Sequence, residues 1–238
     1  NYYKKLLYMK KILITGGYGI LGSCLANKLD DIGHDVYILD RSIKNRNVLN
    51  RFINKSIKKQ KGNFNELQSL IKIIKKKNFD VIFHLGAITQ VIDAYKSPYE
   101  AYKTNILGTI NIFESIRILK TKTKIIFSSS DKAYGTMLKQ NYKEDDRLHG
   151  EFPYDVSKSS SDLIAQSYSK TYNLSVAIIR SGNIFGPADF NLDRLIPGTI
   201  VNALKGEPIT LRTSGKLRRD YIYVSDVADA YVKMMNYM

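Results

Sequence analysis

The sequence predicts an α/β fold built on a doubly wound parallel sheet, and three observations predict it. The stretch Lys11–Gly22, KILITGGYGILG, passes from a short apolar run through a glycine-rich turn into a helical pattern. A second apolar run, Val36–Leu39, ends in Asp40, 18 residues past Gly22. Beyond it, apolar runs of strand length alternate with segments at helical spacing as far as Ile179. That alternation builds a parallel sheet with helices on both faces.

Taken in order, Ile12, Leu13 and Ile14 form the unbroken apolar run of a strand buried on both faces. The run breaks at Thr15 into Gly16-Gly17-Tyr18-Gly19-Ile20-Leu21-Gly22, and Leu25, Leu29 and Ile32 follow at helical spacing. A strand, a glycine turn and a helix start are how a dinucleotide pyrophosphate is held. Glycines let the backbone turn tightly and approach the phosphates, and the helix N-terminus offers free N–H groups and a partial positive charge. Asp40 stands where an acid accepts hydrogen bonds from the adenosine ribose hydroxyls. A carboxylate there repels a 2′-phosphate, which favours NAD over NADP; Arg41 is its neighbour.

The polar stretch from Arg41 to Lys61 predicts a loop with a short helix, and Gly62-Asn63-Phe64 ends a third strand or a turn. Leu67, Leu70, Ile71 and Ile74 predict a helix, and Asp80–Ala87 a buried strand running into a loop. Tyr102, Ile106, Ile110, Phe113 and Leu119 predict one long helix between Pro98 and Leu119. Lys124–Phe127 reads as a strand ending in Ser128-Ser129-Ser130, Tyr154–Tyr172 as a helix and Ser175–Ile179 as a strand. Ligands of such sheets sit outside the carboxyl ends of the strands, where the polar residues of this chain fall.

Composition narrows the function classes. At 238 residues the chain holds one large domain, or one with a small appendage. No apolar run is long enough to span a membrane. The start, NYYKKLLYMKK, lacks the apolar segment and cleavage site of a signal peptide. Met9 directly precedes the first strand, so residues 1–8 read as an extension whose deletion leaves activity intact. The single Cys24 excludes an internal disulfide framework, fits a cytoplasmic enzyme and reads as a small buried apolar residue of the first helix. The 37 basic and 22 acidic residues give a net charge of +15, with clusters at Lys58-Lys59-Gln60-Lys61 and Lys75-Lys76-Lys77. No basic stripe is interleaved with aromatics, so the excess reads as a solvated face, or else as attraction for an anionic substrate, with no nucleic acid or membrane as partner.

These motifs together resemble the extended short-chain dehydrogenase/reductases, the NAD-dependent epimerase/dehydratase group acting on nucleotide sugars. The resemblance covers Met9 to Met238. TGGxGxxG is Thr15–Gly22; HLAA appears as His84-Leu85-Gly86-Ala87, with Gly86 in place of an alanine; NxxGT is Asn105 to Thr109. YxxxK is Tyr154 and Lys158, RxxNxxGP is Arg180, Asn183, Gly186 and Pro187, and RDYxxVxDV is Arg219-Asp220-Tyr221 to Asp226-Val227. The resemblance implies a Rossmann-type NAD-binding domain over 9–180 and a partial, truncated substrate-binding region over 181–238, since the chain stops at what is a helix start in this family. It implies a cofactor set of Gly16, Tyr18, Gly19, Ile20, Leu21, Gly22, Asp40, Arg41, Asn63, Phe64, Leu85, Gly86, Ala87, Thr89, Asn105, Ser128, Tyr154 and Lys158. Asn63 stands where the family has an Asp beside the adenine; an amide oxygen still accepts from the adenine amino group.

Tyr154 and Lys158, four residues apart, share a helix face. A free tyrosine titrates near ~10, and a nearby ammonium plus the positive nicotinamide ring is expected to lower that value, so that Tyr154 removes a hydroxyl proton as hydride leaves the same carbon for NAD. The resemblance puts Ser130 on the reacting hydroxyl. Asp131 and Lys132, which follow it, resemble the sugar 4,6-dehydratases, and among them the CDP-glucose type. Asp131 is then the acid for the departing C6 hydroxyl, and Lys132 the base at C5 or a group that positions the proton. If both ionise, each stabilises the other's charge, so the roles require burial or a shared proton.

Asn183, Arg194 and Arg219 take the family's positions for the substrate nucleotide, and guanidinium groups suit a diphosphate. Arg218 is a second ligand or a solvated neighbour, and Leu195-Ile196-Pro197 fits a substrate-side lid. His34, His84 and His149 show no metal-ligand spacing, and no metal is expected; His84 braces the loop after its strand. The leading reading is a nucleotide-sugar 4,6-dehydratase. A nucleotide-sugar 4-epimerase is the alternative, and an NAD-binding sensor or nucleic-acid protein the reading from another class. Family members dimerise through two long helices, here 97–119 and 154–172, so a homodimer is expected.

Overall fold

The computed structural model describes residues 9–41, 52–136, 141–187, 189–209, 211, 214–216 and 218–238. The extension expected for residues 1–8 and the loop and helix expected after Arg41 lie wholly or largely outside these residues. The chain forms β1 (Lys11–Thr15), α1 (Ile20–Asp31), β2 (Asp35–Asp40), β3 (Lys58–Lys61), α2 (Leu67–Lys77), β4 (Val81–His84), α3 (Val91–Lys96) and α4 (Pro98–Tyr102). A π-helical turn over Lys103–Leu107 leads into α5 (Gly108–Leu119), β5 (Lys124–Ser130), a 3-10 turn (Asp131–Tyr134) and α6 (Pro153–Tyr172). Then come β6 (Val176–Ser181), β7 (Asn183–Phe185), α7 (Leu195–Lys205), β8 (Tyr221–Tyr223) and α8 (Val224–Tyr237).

Six strands pair in parallel in the order β3-β2-β1-β4-β5-β6, the doubly wound sheet expected, and β7 and β8 pair in parallel as a separate ribbon. Strand alternation sorts the apolar residues onto two faces. Ile12, Ile14, Val36, Ile38, Val81, Phe83 and Ile126 pack with α1 and α8. Leu13, Tyr37, Leu39, Ile82, Ile125 and Phe127 pack with α2, α5 and α6. Burial on both faces explains the unbroken apolar runs, each fully buried Ile, Leu or Phe contributing about 1.5–3 kcal/mol. Among the described residues, no helix is long and apolar enough to cross a membrane.

The structure bears on five further expectations. Lys58-Lys59-Gln60-Lys61, read as a solvated charge cluster, has its lysines exposed, with Lys58 Nζ paired to Asp35 (2.7 Å), and its backbone forms the edge strand β3 beside β2. The single long helix over 98–119 is α4, the π turn and α5, because the extra residue per turn aims Asn105 at the loop after β4. Leu195-Ile196-Pro197, expected as a substrate-side lid, is the first turn of α7 and lines the cavity beside Arg194. Beyond the boundary read at 180, Val224, Val227, Ala228, Tyr231 and Met235 of α8 join the core of the sheet. Cys24 is half-buried against that core rather than within it.

Candidate active site

At the carboxyl end of β1 the chain turns at Gly16, whose φ of +69° places it in the left-handed region. A Cβ on Gly16 would lie 2.8 Å from the Gly86 nitrogen, and one on Gly22 would lie 2.2 Å from the Gly16 oxygen. The turn is therefore pressed against both the β4 loop and its own helix. Tyr18 and Leu21 send their side chains into the core. Toward a ligand, Gly19, Ile20, Leu21 and Gly22 offer backbone, and the first-turn N–H groups of α1 have no acceptor within the helix. Asp40 ends β2, and its carbonyl accepts from the Gly62 N–H (3.0 Å). Arg41 is exposed beside it.

His84 organises the floor. Thr109 Oγ1 donates to the Asn105 carbonyl (2.6 Å), so toward His84 Nε2 (3.1 Å) it acts as acceptor, and the proton is on Nε2. Nδ1 then accepts from Thr15 Oγ1 (2.8 Å), which in turn accepts from the Gly86 N–H (3.0 Å). The ring is fully buried; desolvation, then the Lys158 charge, lower its pKa to about 3, so it is neutral. His84 thus braces the loop Leu85-Gly86-Ala87, as the sequence suggested. The glycine at 86 has a steric reason: a Cβ there would lie 2.7 Å from the Phe64 ring, which stacks edge-on against His84. Thr89 lies exposed on the same loop. Asn63 Oδ1 accepts from the Asn65 N–H (3.1 Å), and its amide donates to Glu66 (3.1 Å), fixing the turn into α2.

Asn105 acts through the protein. Its Oδ1 accepts from the Ile88 N–H (2.8 Å), and Nδ2 donates to the Ile88 carbonyl (3.0 Å) and to Ser157 Oγ (2.8 Å). With only 2% of its surface exposed, it ties the β4 loop to α6 instead of reaching a ligand itself.

The carboxyl end of β5 and the start of α6 bring the other polar residues together. Lys158 is buried and donates from Nζ to the Ser128 carbonyl (2.7 Å). Desolvation lowers its pKa to about 8, against a smaller opposing effect of Asp162. Tyr154 is buried as well, and desolvation pushes its pKa up to about 12; a hydrogen bond with Ser130 and the Arg194 charge work the other way, while Asp131 and Asp155 reinforce the rise. Burial dominates in the chain alone, whereas the lowering expected for Tyr154 counted on the positive nicotinamide ring as well as the ammonium.

Ser130 Oγ donates to Asp131 Oδ1 (2.9 Å) and accepts from the Lys132 N–H (3.2 Å), capping the 3-10 turn that carries both. Asp131 thus takes the serine hydroxyl rather than the neighbouring ammonium. Asp155, which sequence reading passed over, is a buried acid beside Tyr154 whose pKa is raised by burial and lowered in part by Lys132. Its only signal was its place directly after Tyr154.

Asn183, Arg194, Leu195 and Tyr221 line a small cavity at the β7–β8 ribbon. Arg194 is held there by Asp189 (2.7 Å) and the Ile184 carbonyl (2.5 Å), and Asn183 Nδ2 donates to the Asp220 carbonyl (3.2 Å). Arg219 is exposed, donates to the Arg218 carbonyl and does not line this cavity.

Residues 12–238 match the model of the NAD dependent epimerase/dehydratase family. The dTDP-D-glucose 4,6-dehydratase of Dictyostelium discoideum is 32% identical over 243 residues, which are 94% of this chain and 55% of that protein. The chain therefore spans about half the length of that relative. The UDP-N-acetyl-alpha-D-glucosaminuronate decarboxylase of Bacillus cytotoxicus is 32% identical, covering 95% of this chain and 71% of its own. Among solved structures, a UDP-glucose 4-epimerase from Thermotoga maritima with UDP-glucose superposes with TM-score 0.86 at 27% identity, covering 94% of this chain and 73% of that one. A dTDP-glucose 4,6-dehydratase from Streptomyces venezuelae with NAD bound gives 0.84 at 26% identity, covering 94% and 71%.

Proposed function

The chain belongs to the NAD-dependent epimerase/dehydratase family, and from that premise we propose that it is an NAD-dependent nucleotide-sugar 4,6-dehydratase. The observation that carries the proposal is the 3-10 turn at the end of β5, which sets Asp131 and Lys132 directly after Ser130 and against the helix of Tyr154 and Lys158. Bound NAD supplies a hydride acceptor at C4 and, once reduced, a hydride donor at C6.

The chain supplies the rest. Gly16, Gly19 and Gly22 shape a cradle that fits a pyrophosphate, and Asp40 stands at the ribose position. Ser130 orients the C4 hydroxyl and Tyr154 takes its proton. Lys132 accepts the proton from C5 and Asp131 protonates the departing C6 hydroxyl, so that water leaves; once hydride has reached C6, Lys132 returns the proton to C5 and a 4-keto-6-deoxy sugar results. Arg194 and Asn183 face the nucleotide diphosphate, and Arg219 approaches it from the exposed side. The β7–β8 ribbon and α7 form the substrate side, while α8 completes the NAD-binding core.

A 4-epimerase is the second reading, favoured by the likeness to the T. maritima enzyme. Incubation with NAD and a panel of nucleotide hexoses separates the two by product mass: loss of one water is expected, and isomers of unchanged mass would assign the epimerase. Asp131→Asn should retain NAD binding and reduce water loss by about 10²-fold or more; unaltered elimination would remove Asp131 from the mechanism.

The same reading includes a homodimer and a cytoplasmic location, without nucleic acid as partner. Tyr99 and Leu163, 73% and 52% exposed on α4 and α6, support a dimer face on the helices named above. Light scattering on the wild type should give twice the chain mass, and Leu163→Glu should shift it toward the monomer; a wild-type monomer would refute the face.

A further inference from the structure

We propose that Arg180 is a positioning residue of the elimination site, strapping the turn that carries Asp131 and Lys132, together with residues 141–150, to the sheet. The inference rests on the dehydratase reading for its kinetic consequence and on the geometry alone for the strap.

Arg180 lies on β6, and its guanidinium is gripped from α6. Nε donates to Asp162 Oδ2 (2.8 Å) and one terminal nitrogen to Oδ1 (3.0 Å), a paired contact with a carboxylate that is fully buried. Burial is the largest single effect on Asp162 and opposes its charge, but hydrogen bonds from Arg180, Ser129 and Gln166 together with the Arg180 charge outweigh it, and the carboxyl sits below its ordinary range. A buried pair serving only the core would end there. Here the other terminal nitrogen points away from the pair, donating to the Tyr134 hydroxyl (2.9 Å) and to the Glu144 carbonyl (2.8 Å).

Those two acceptors belong to the segments that frame the elimination residues. Tyr134 closes the 3-10 turn begun by Asp131, and it stacks on Tyr142 with ring centres 4.7 Å apart. The His149 N–H donates to the Ala133 carbonyl (3.0 Å), and a Cβ on Gly135 would fall 1.7 Å from the His149 oxygen. The turn and residues 141–150 are thus laid against each other, and Arg180 fastens both at one point. Tyr154 and Lys158 take no bond from Arg180: α6 places them, and Lys158 Nζ holds the Ser128 carbonyl. Arg180 therefore acts directly on the turn of Asp131 and Lys132, and on the oxidising pair only through Asp162 of their shared helix. The fork is required: a lysine keeps the charge but not four directed bonds.

Two variants test this, Arg180→Lys and the milder Tyr134→Phe, which deletes one acceptor and keeps the ring. Hydrogen exchange read by mass spectrometry should quicken about tenfold or more in peptides from 131–136 and 141–150 of Arg180→Lys, with β1 and α1 unchanged. Tyr134→Phe should show a smaller increase in the same peptides. Unchanged exchange there, or a uniform increase over the whole chain, would overturn the strap. In turnover, NADH formation on the substrate should stay within about threefold of wild type while water loss falls about tenfold or more. Both steps falling in parallel would reduce Arg180 to a fold-stabilising pair and overturn the inference. A wild type that reduces NAD without losing water would instead overturn the dehydratase reading, and the exchange result would still decide the strap.

Discussion

The proton on His84 has one place to be, because Thr109 is already committed as a donor to the Asn105 carbonyl. Protonating the second nitrogen would turn Nδ1 into a donor facing a hydroxyl that must then reverse, inside a fully buried site. The folded state binds this proton only near pH 3, whereas an unfolded histidine binds it near ~6.5. Unfolded chains thus hold more protons through that window, so the stability associated with neutral His84 is complete above it and lost as pH falls toward 3. The loss amounts to roughly 3–5 kcal/mol over the window. Thermal melts of His84→Gln should therefore show a shallower decline between pH 6.5 and pH 3.5 than those of wild type; parallel curves would remove His84 as the cause. Thr15→Val should cost about 2 kcal/mol or more in chemical denaturation, leaving Nδ1 and the Gly86 N–H without a partner. Tyr154 shows how far a residue pattern reaches. Its spacing from Lys158 was plain in the sequence, but the direction of its pKa was not, since burial is a property of the fold around β5.

At the scale of elements, the π turn between α4 and α5 shows what periodicity conceals. Tyr102, Ile106 and Ile110 recur four apart as in an ordinary helix, yet they are only partly buried, and the residues turned inward are Ala101, Asn105, Gly108, Thr109 and Ile112. The cause of the π turn lies far along the chain, in the Ile88 backbone and Ser157 that Asn105 reaches. Asn105→Ala should lower stability by about 2–3 kcal/mol and weaken NAD affinity together, the second through the loop after β4; calorimetry that finds one change without the other would separate the two roles. The strands were legible because burial on both faces writes itself as apolar runs. For β3 the sequence showed only the strand or turn end at Gly62-Asn63-Phe64, since its KKQK carries no apolar residue and its place follows from pairing with β2. Arg180 was legible as part of a motif, but its grip on Asp162, 18 residues earlier in the chain, has no local trace.

For the molecule as a whole, α8 decides where the core ends. It covers one face of the sheet beside α1, with Tyr231 and Met235 fully buried. A chain cut after Ser181 would expose Ile12, Ile14, Val81 and Phe83 on that face, and it is expected to be insoluble or unfolded by circular dichroism; a folded, soluble 9–181 fragment would restore the boundary read from the motifs. The composition was legible in kind, as lysines scattered over solvated faces, while their placement was not. Three of them lie on β3, the outermost strand of the sheet among the described residues. A row of ammonium groups there makes a second sheet edge electrostatically unwelcome. Part of the charge of this protein is thereby a guard against strand-to-strand self-association, so neutralising Lys58, Lys59 and Lys61 would trade a solvated border for a template on which neighbouring molecules could polymerise.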